Sequence, residues 1–127
     1  MASLNDTAAA FAVDGERLVC LIGGGGKTTL MARLSHDLAA RGRRVITTTT
    51  TRIRHPDRGI VVIEPTLDRL VTRLGDALHV APEVTAAKEH LPESKLRGLT
   101  ADEVDHLAGL SLADTIVVEA DGAAGRP

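Results

Sequence analysis

A run of apolar residues that ends on four glycines, a lysine and two threonines constrains this chain more than anything else in it. In Leu18-Val19-Cys20-Leu21-Ile22 the apolar character is continuous rather than alternating. A strand covered on both faces reads this way, as in a parallel sheet flanked by helices. Gly23, Gly24, Gly25 and Gly26 follow. They let the backbone curve tightly, with no side chain in the way. Beyond Lys27, Thr28 and Thr29, the residues Leu30, Met31, Leu34 and Leu38 fall on one side of a 3.6-residue period. That predicts a helix from about Thr28 to Ala40, with Gly42 as its left-handed cap. Strand, glycine loop and helix N-terminus together have the layout of a phosphate-binding loop.

The chemistry of such a loop is specific. Successive backbone N–H groups at a helix N-terminus form an anion nest. Lys27 adds a mobile positive charge for the β- and γ-phosphates of a nucleotide. Thr28 stands where a hydroxyl ligand of a phosphate-bound Mg²⁺ is needed, with Thr29 beside it. The expected cofactors are therefore ATP or GTP with Mg²⁺. The common pattern of Gly, four free positions and Gly-Lys-Ser/Thr is shortened here, because its first glycine falls on Leu21.

A wall opposite the loop is also legible. Thr115 to Glu119 predicts a strand with Ile116-Val117-Val118 at its heart, followed by Ala120-Asp121-Gly122. Parallel strands put their carboxyl ends on the edge that carries the glycine loop. Glu119 and Asp121 are thus the candidates for the metal shell, and Asp121 is by position alone a candidate general base. Val45 and Ile46 open another strand that runs into Thr47 to Thr51, all β-branched. The strand is expected to end within this run, its last threonines at the rim of the cleft. Two readings stay open: a strand end without chemistry, or hydroxyls from Thr48 to Thr51 offered to a γ-phosphate or a second ligand. Arg52 and Arg54 extend the same edge, and Lys95 is a further candidate on a loop.

The remaining segments supply scaffold. Residues 1–16 read as a leader and 17–127 as one nucleotide-binding domain. Arg52 to His55 reads as a polar loop before Pro56. Ile60-Val61-Val62-Ile63 predicts a strand, and Leu67, Leu70, Val71 and Leu74 share a helix face that Gly75 should stop. Leu78 to Ala86 has room for one or two short strands, and Lys88 to Arg97 reads as irregular. Thr100 and Glu103 have capping-box spacing ahead of Val104, Leu107 and Ala108, with Gly109 as the expected end. The alternation predicts a three-layer α/β fold with a mostly parallel sheet, like that of P-loop nucleoside triphosphatases.

Composition narrows the function. Fifteen Lys and Arg against seventeen Asp and Glu give a formal charge of −2. Tyr and Trp are absent, and Phe11 is the one aromatic residue. Nucleic acid is not an expected partner, because neither a basic groove nor stacking platforms are at hand. Cys20 reads as a small buried hydrophobe. The histidines have no zinc-ligand spacing. No secretory pattern and no apolar run of spanning length is visible, so a soluble, cytoplasmic protein without a membrane partner is expected.

Taken together, Ile22 to Met31, the threonine run into Arg52, Lys95-Leu96-Arg97-Gly98-Leu99 and Val118-Glu119-Ala120-Asp121-Gly122-Ala123-Ala124-Gly125-Arg126-Pro127 resemble the YqeC family of selenium-dependent hydroxylase accessory proteins. The ending together with the threonine run is the most specific part. The resemblance implies a P-loop protein with the same shortened glycine loop. It also implies an association with molybdenum hydroxylases and with maturation of their molybdenum cofactor. The family pattern continues past Arg126-Pro127, so a C-terminal portion is expected to be lacking. The activity expected is nucleotide binding, probed as hydrolysis or as phosphoryl or nucleotidyl transfer. The alternatives are a small-molecule kinase or nucleotidyltransferase acting on a cofactor precursor, or a nucleotide-gated binding module without turnover. No guanine-reading Asn-Lys-x-Asp is present, which leans the expectation to ATP.

Overall fold

The computed structural model describes residues 17–22 and 27–120, with the backbone alone at Lys27 and Thr28. The elements in chain order are β1 (Leu18–Ile22), α1 (Lys27–Ala40), β2 (Val45–Thr49), β3 (Arg52–Arg54), β4 (Ile60–Ile63) and α2 (Leu67–Ala77). They continue with β5 (Glu83–Ala87), β6 (Glu89–Leu91), β7 (Lys95–Arg97), α3 (Ala101–Leu110) and β8 (Thr115–Ala120).

Five strands pair in the order β1-β8-β2-β5-β4, and every pairing is parallel. Side chains alternate between the faces of a strand, and the two faces carry separate cores. On one, Met31, Leu34 and Leu38 of α1 pack with Val19, Leu21, Val45 and Val117. On the other, Leu70 and Leu74 of α2 and Val104 and Leu107 of α3 pack with Ile46, Val62, Val84, Ile116 and Val118. Helix, sheet and helices therefore make three layers. Each fully buried Leu, Ile or Val contributes about 1.5–3 kcal/mol relative to exposure, so the sheet is held mainly through β8, β2 and β5.

Several expectations are corrected. β1 is not covered on both faces: it stands at the edge of the described sheet, where Cys20 is exposed and Ile22 is 56% exposed. A continuous apolar run says nothing of which neighbour is missing. Partial burial, and secondarily the Asp105 carboxylate of α3, push the Cys20 thiol above its ordinary 9.0, which disfavours the nucleophilic thiolate. Gly75 and Gly109 do not stop their helices, which run to Ala77 and Leu110. Nothing lies within 4 Å of a Cβ built on either glycine. α3 ends instead where Ser111 turns left-handed, at φ 57°. The segments read as loop at Arg52–Arg54 and within Lys88–Arg97 are strands: β3, β7 and β6 form a second, antiparallel sheet.

The threonine run resolves into two parts. Thr47, Thr48 and Thr49 are all buried in β2. A buried hydroxyl is costly unless it is hydrogen-bonded, and each of these is. Thr47 Oγ lies 2.8 Å from Thr85 Oγ, Thr48 donates to Ala86 O at 2.7 Å, and Thr49 donates to Glu119 O at 2.8 Å. β2 ends at Thr49, leaving Thr50 and Thr51 half-buried beyond it.

Candidate functional site

The carboxyl ends of β1, β8 and β2 come together in one row, where Leu21 pairs with Glu119 and Glu119 with Thr49. Residues 23–26 join the end of β1 to the start of α1, so the helix begins at this same edge. Glu119 is half-buried and lies on the same face of β8 as Val117. Val117 packs with α1, so this acid belongs to the face on which α1 lies. The backbone of Glu119 is fixed from the other side. Its carbonyl accepts from the Thr49 hydroxyl and, at 3.2 Å, from the Thr50 amide.

The sequence-derived site residues divide accordingly. Lys27 and Thr28 open α1, and Thr29 is exposed in its first turn. Glu119 is one residue short of the end of β8, paired with Leu21 of β1 at the same edge of the sheet. Gly23, Gly24, Gly25, Gly26 and Asp121 lie outside the described residues. Thr48 is inside the core with its hydroxyl on Ala86 O, whereas Thr51 and Arg52 line a cavity. Among the described residues, no three His, Cys, Asp or Glu side chains converge as a metal cluster, and no helix is long and apolar enough to cross a membrane.

That cavity, of about 510 Å³, opens at the carboxyl edge. Thr50 and Thr51 line it from the end of β2, Arg52 from β3, Leu91 and Arg97 from the antiparallel arm, and Gly98 to Thr100 from the approach to α3. The arm is tied down through its backbone: the Gly98 amide donates to Thr51 O at 3.0 Å and the Leu99 amide to Thr49 O at 2.8 Å. A Cβ on Gly98 would sit 1.8 Å from the Thr49 carbonyl oxygen, so this close approach requires glycine. Thr100 caps α3 as expected, its hydroxyl accepting from the Glu103 amide while Glu103 accepts from the Thr100 amide. Lys88, just past β5, donates to the other Glu103 oxygen. Burial raises the Glu103 carboxyl, but the Lys88 ammonium and the Thr100 hydrogen bonds outweigh it and leave the group below its ordinary value.

Sequence reasoning missed Arg97 as part of this edge. The available signal was a repeated triplet, Arg52-Ile53-Arg54 and Lys95-Leu96-Arg97, each cation–apolar–cation. It is a strand alternation too short to register by periodicity alone.

No solved structure matches the chain. An uncharacterized protein of Escherichia coli strain K12, named YqeC, is 32% identical over 111 residues. The match spans 87% of this chain but 42% of that relative, so the chain corresponds to less than half its length. The family model described as YqeC protein matches residues 19–127. That span runs from the first strand through the glycine loop, both sheets and the closing acidic strand, and on it the chain belongs to the YqeC family.

Proposed function

We propose that this protein binds a nucleoside triphosphate, ATP, with Mg²⁺ at the carboxyl edge of its parallel sheet, and that it serves as an accessory factor in maturing molybdenum- or selenium-dependent hydroxylases. One observation carries the nucleotide reading. The strand that runs into Gly23–Lys27 pairs in parallel with the strand that ends in Glu119, in the register Leu21 to Glu119. A glycine-rich turn into a helix N-terminus, beside a strand ending in an acid, is the arrangement that phosphate and its metal require.

The donor set fits Mg²⁺, a hard cation that prefers oxygen ligands and retains waters. Thr28, Glu119 and Asp121 would hold it, directly or through those waters. The amides of Gly23 to Gly26 would cradle the phosphate oxygens, with Lys27 neutralising them, Thr29 completing the first turn, and Asp121 available as a proton acceptor. When bound, the metal would supply charge neutralisation at the phosphates. Thr51 and Arg52 extend the edge towards a second substrate, as a small-molecule kinase or nucleotidyltransferase would need. Thr48 supports the strand end from the core.

Calorimetric titration with ATP and GTP, with and without Mg²⁺, tests this reading. Mg²⁺-dependent ATP binding is expected in the native protein, weakened at least tenfold in Lys27→Ala. Absence of binding by both nucleotides, or binding unchanged by the substitution, would sink it.

A further inference from the structure

The antiparallel arm has two unlike faces. Ile53 and Leu96 point to the core and are 3% and 0% exposed. The opposite face carries Arg52, Arg54, Lys95 and Arg97, all exposed. In register, Arg52 is paired with Arg97 and Arg54 with Lys95. Two like-charged pairs therefore stand directly across one two-stranded ribbon. Such pairs are destabilising, and a scaffold need alone would not favour them. Arg97 is neutralised by Glu89 of β6, at 2.7 Å. Among the described residues, Arg52, Arg54 and Lys95 have no ion-pair partner.

The cavity beside the arm matches this face. Arg52 and Arg97 line it, and Arg54 and Lys95 continue the positive face one pair further out. Thr50 and Thr51 bring polar groups, while Leu91 and Leu99 offer an apolar wall. About 510 Å³ is the size of a small-molecule site. Nucleic acid does not fit, with Phe11 the sole aromatic residue and a formal charge of −2. A monocarboxylate would engage a single arginine fork. Of the three unneutralised cations on this face, Arg52 lines the cavity while Arg54 and Lys95 stand one register pair away. Together they call for a ligand of higher charge, and arginine forks match phosphate oxygens bidentately.

We infer that the cationic face of the β3–β7 ribbon and the cavity beside it bind a small phosphorylated ligand, separately from the glycine loop. This assignment stands whether or not the loop holds a nucleotide. If it does, the arm is where the second substrate sits. The cavity begins at Thr50, whose amide is bonded to the carbonyl of Glu119.

The test uses Lys27→Ala protein, in which the loop is disabled, titrated with inorganic pyrophosphate at low salt and followed by amide NMR. Saturable binding with shifts at Thr51 and Gly98 is expected. Adding Arg52→Gln and Lys95→Gln in the same background should weaken it at least tenfold. The same glutamine variant should melt no lower than its parent without ligand, since it removes like-charge pairs, and should lose most of the pyrophosphate-induced rise in Tm. Absence of saturable binding, equal affinity in the glutamine variant, or shifts confined to the start of α1 would overturn the site. Succinate binding as tightly as pyrophosphate would overturn the phosphate assignment.

Discussion

β1 and β8 meet over five register pairs, from Leu18 with Ile116 to Ile22 with Ala120, whereas β3 and β7 meet over three. The first pair sits in a sheet whose strands Val45–Thr49 and Thr115–Ala120 are almost wholly buried. The second rests on two apolar anchors, Ile53 and Leu96. Two such anchors contribute about 1.5–3 kcal/mol each, while ordering each residue's backbone costs about 1–2 kcal/mol. The arm therefore depends on polar pins to the body: the Gly98 and Leu99 amides on β2 carbonyls, and the Lys88–Glu103 pair. One wall of the carboxyl edge is held by apolar burial and the other by a few hydrogen bonds. The difference teaches where ligand-dependent adjustment is cheap, because weakly buried elements open at low free energy.

The largest expected blow to this contrast is Gly98→Ala. The new methyl would collide with the Thr49 carbonyl, and neither partner is the flexible end of a side chain. Urea unfolding should register a loss of about 3 kcal/mol or more. If the loss is under about 1 kcal/mol, the arm is not pinned as described. Thr100→Ala should cost about 1 kcal/mol through loss of the cap. Its amide exchange should quicken in α3 and leave β1 and β8 unchanged; equal loosening of both walls would dissolve the distinction.

The smallest effect concerns pH. Glu103 has a folded-state pKa below its ordinary 4.5. The stability it contributes is present above about 4.5 and is lost as pH falls through the folded value. Acidification from about pH 5 to about pH 3 should thus raise exchange at Thr100 and Glu103 before it does so in β8. Glu103→Gln should flatten that dependence, and an unchanged profile in the variant would exclude this pin as the cause.

Much of the parallel sheet could be read from residue order, because its strands are apolar runs and its helices have clear periods. β1 was found at its observed bounds, and the capping box marked the start of α3. Which strand lies at an edge could not be read, since Leu18–Ile22 has the same apolar run whether one neighbour or two flank it. The arm escaped for a different reason. Each strand has three residues with a single apolar one at most in β3 and β7, and its stability comes from pairings across distant segments. The threonine run was legible in part: the strand ends within it and its last residues, Thr50 and Thr51, reach the cavity. Thr48 and Thr49, open to a ligand-binding reading, are instead core residues whose hydroxyls find partners on β5 and β8. Of the candidate site, its place at the carboxyl edge was legible from the motif. The cationic ribbon was not, because it exists only once β3 and β7 are paired.

The position of β8 between β1 and β2 sets the timetable of assembly. It is the last described strand of the chain, yet it supplies the partner for both of the earliest ones. During synthesis, the glycine loop and α1 emerge long before the strand that anchors them. Pairings so distant along the chain close slowly, since the entropy of closing the loop is lost before the contacts form. β1 and β2 must wait with unpaired edges until Thr115–Ala120 inserts between them, an interval of exposure to aggregation. The carboxyl edge would therefore become competent only after Thr115–Ala120 has been made and has paired.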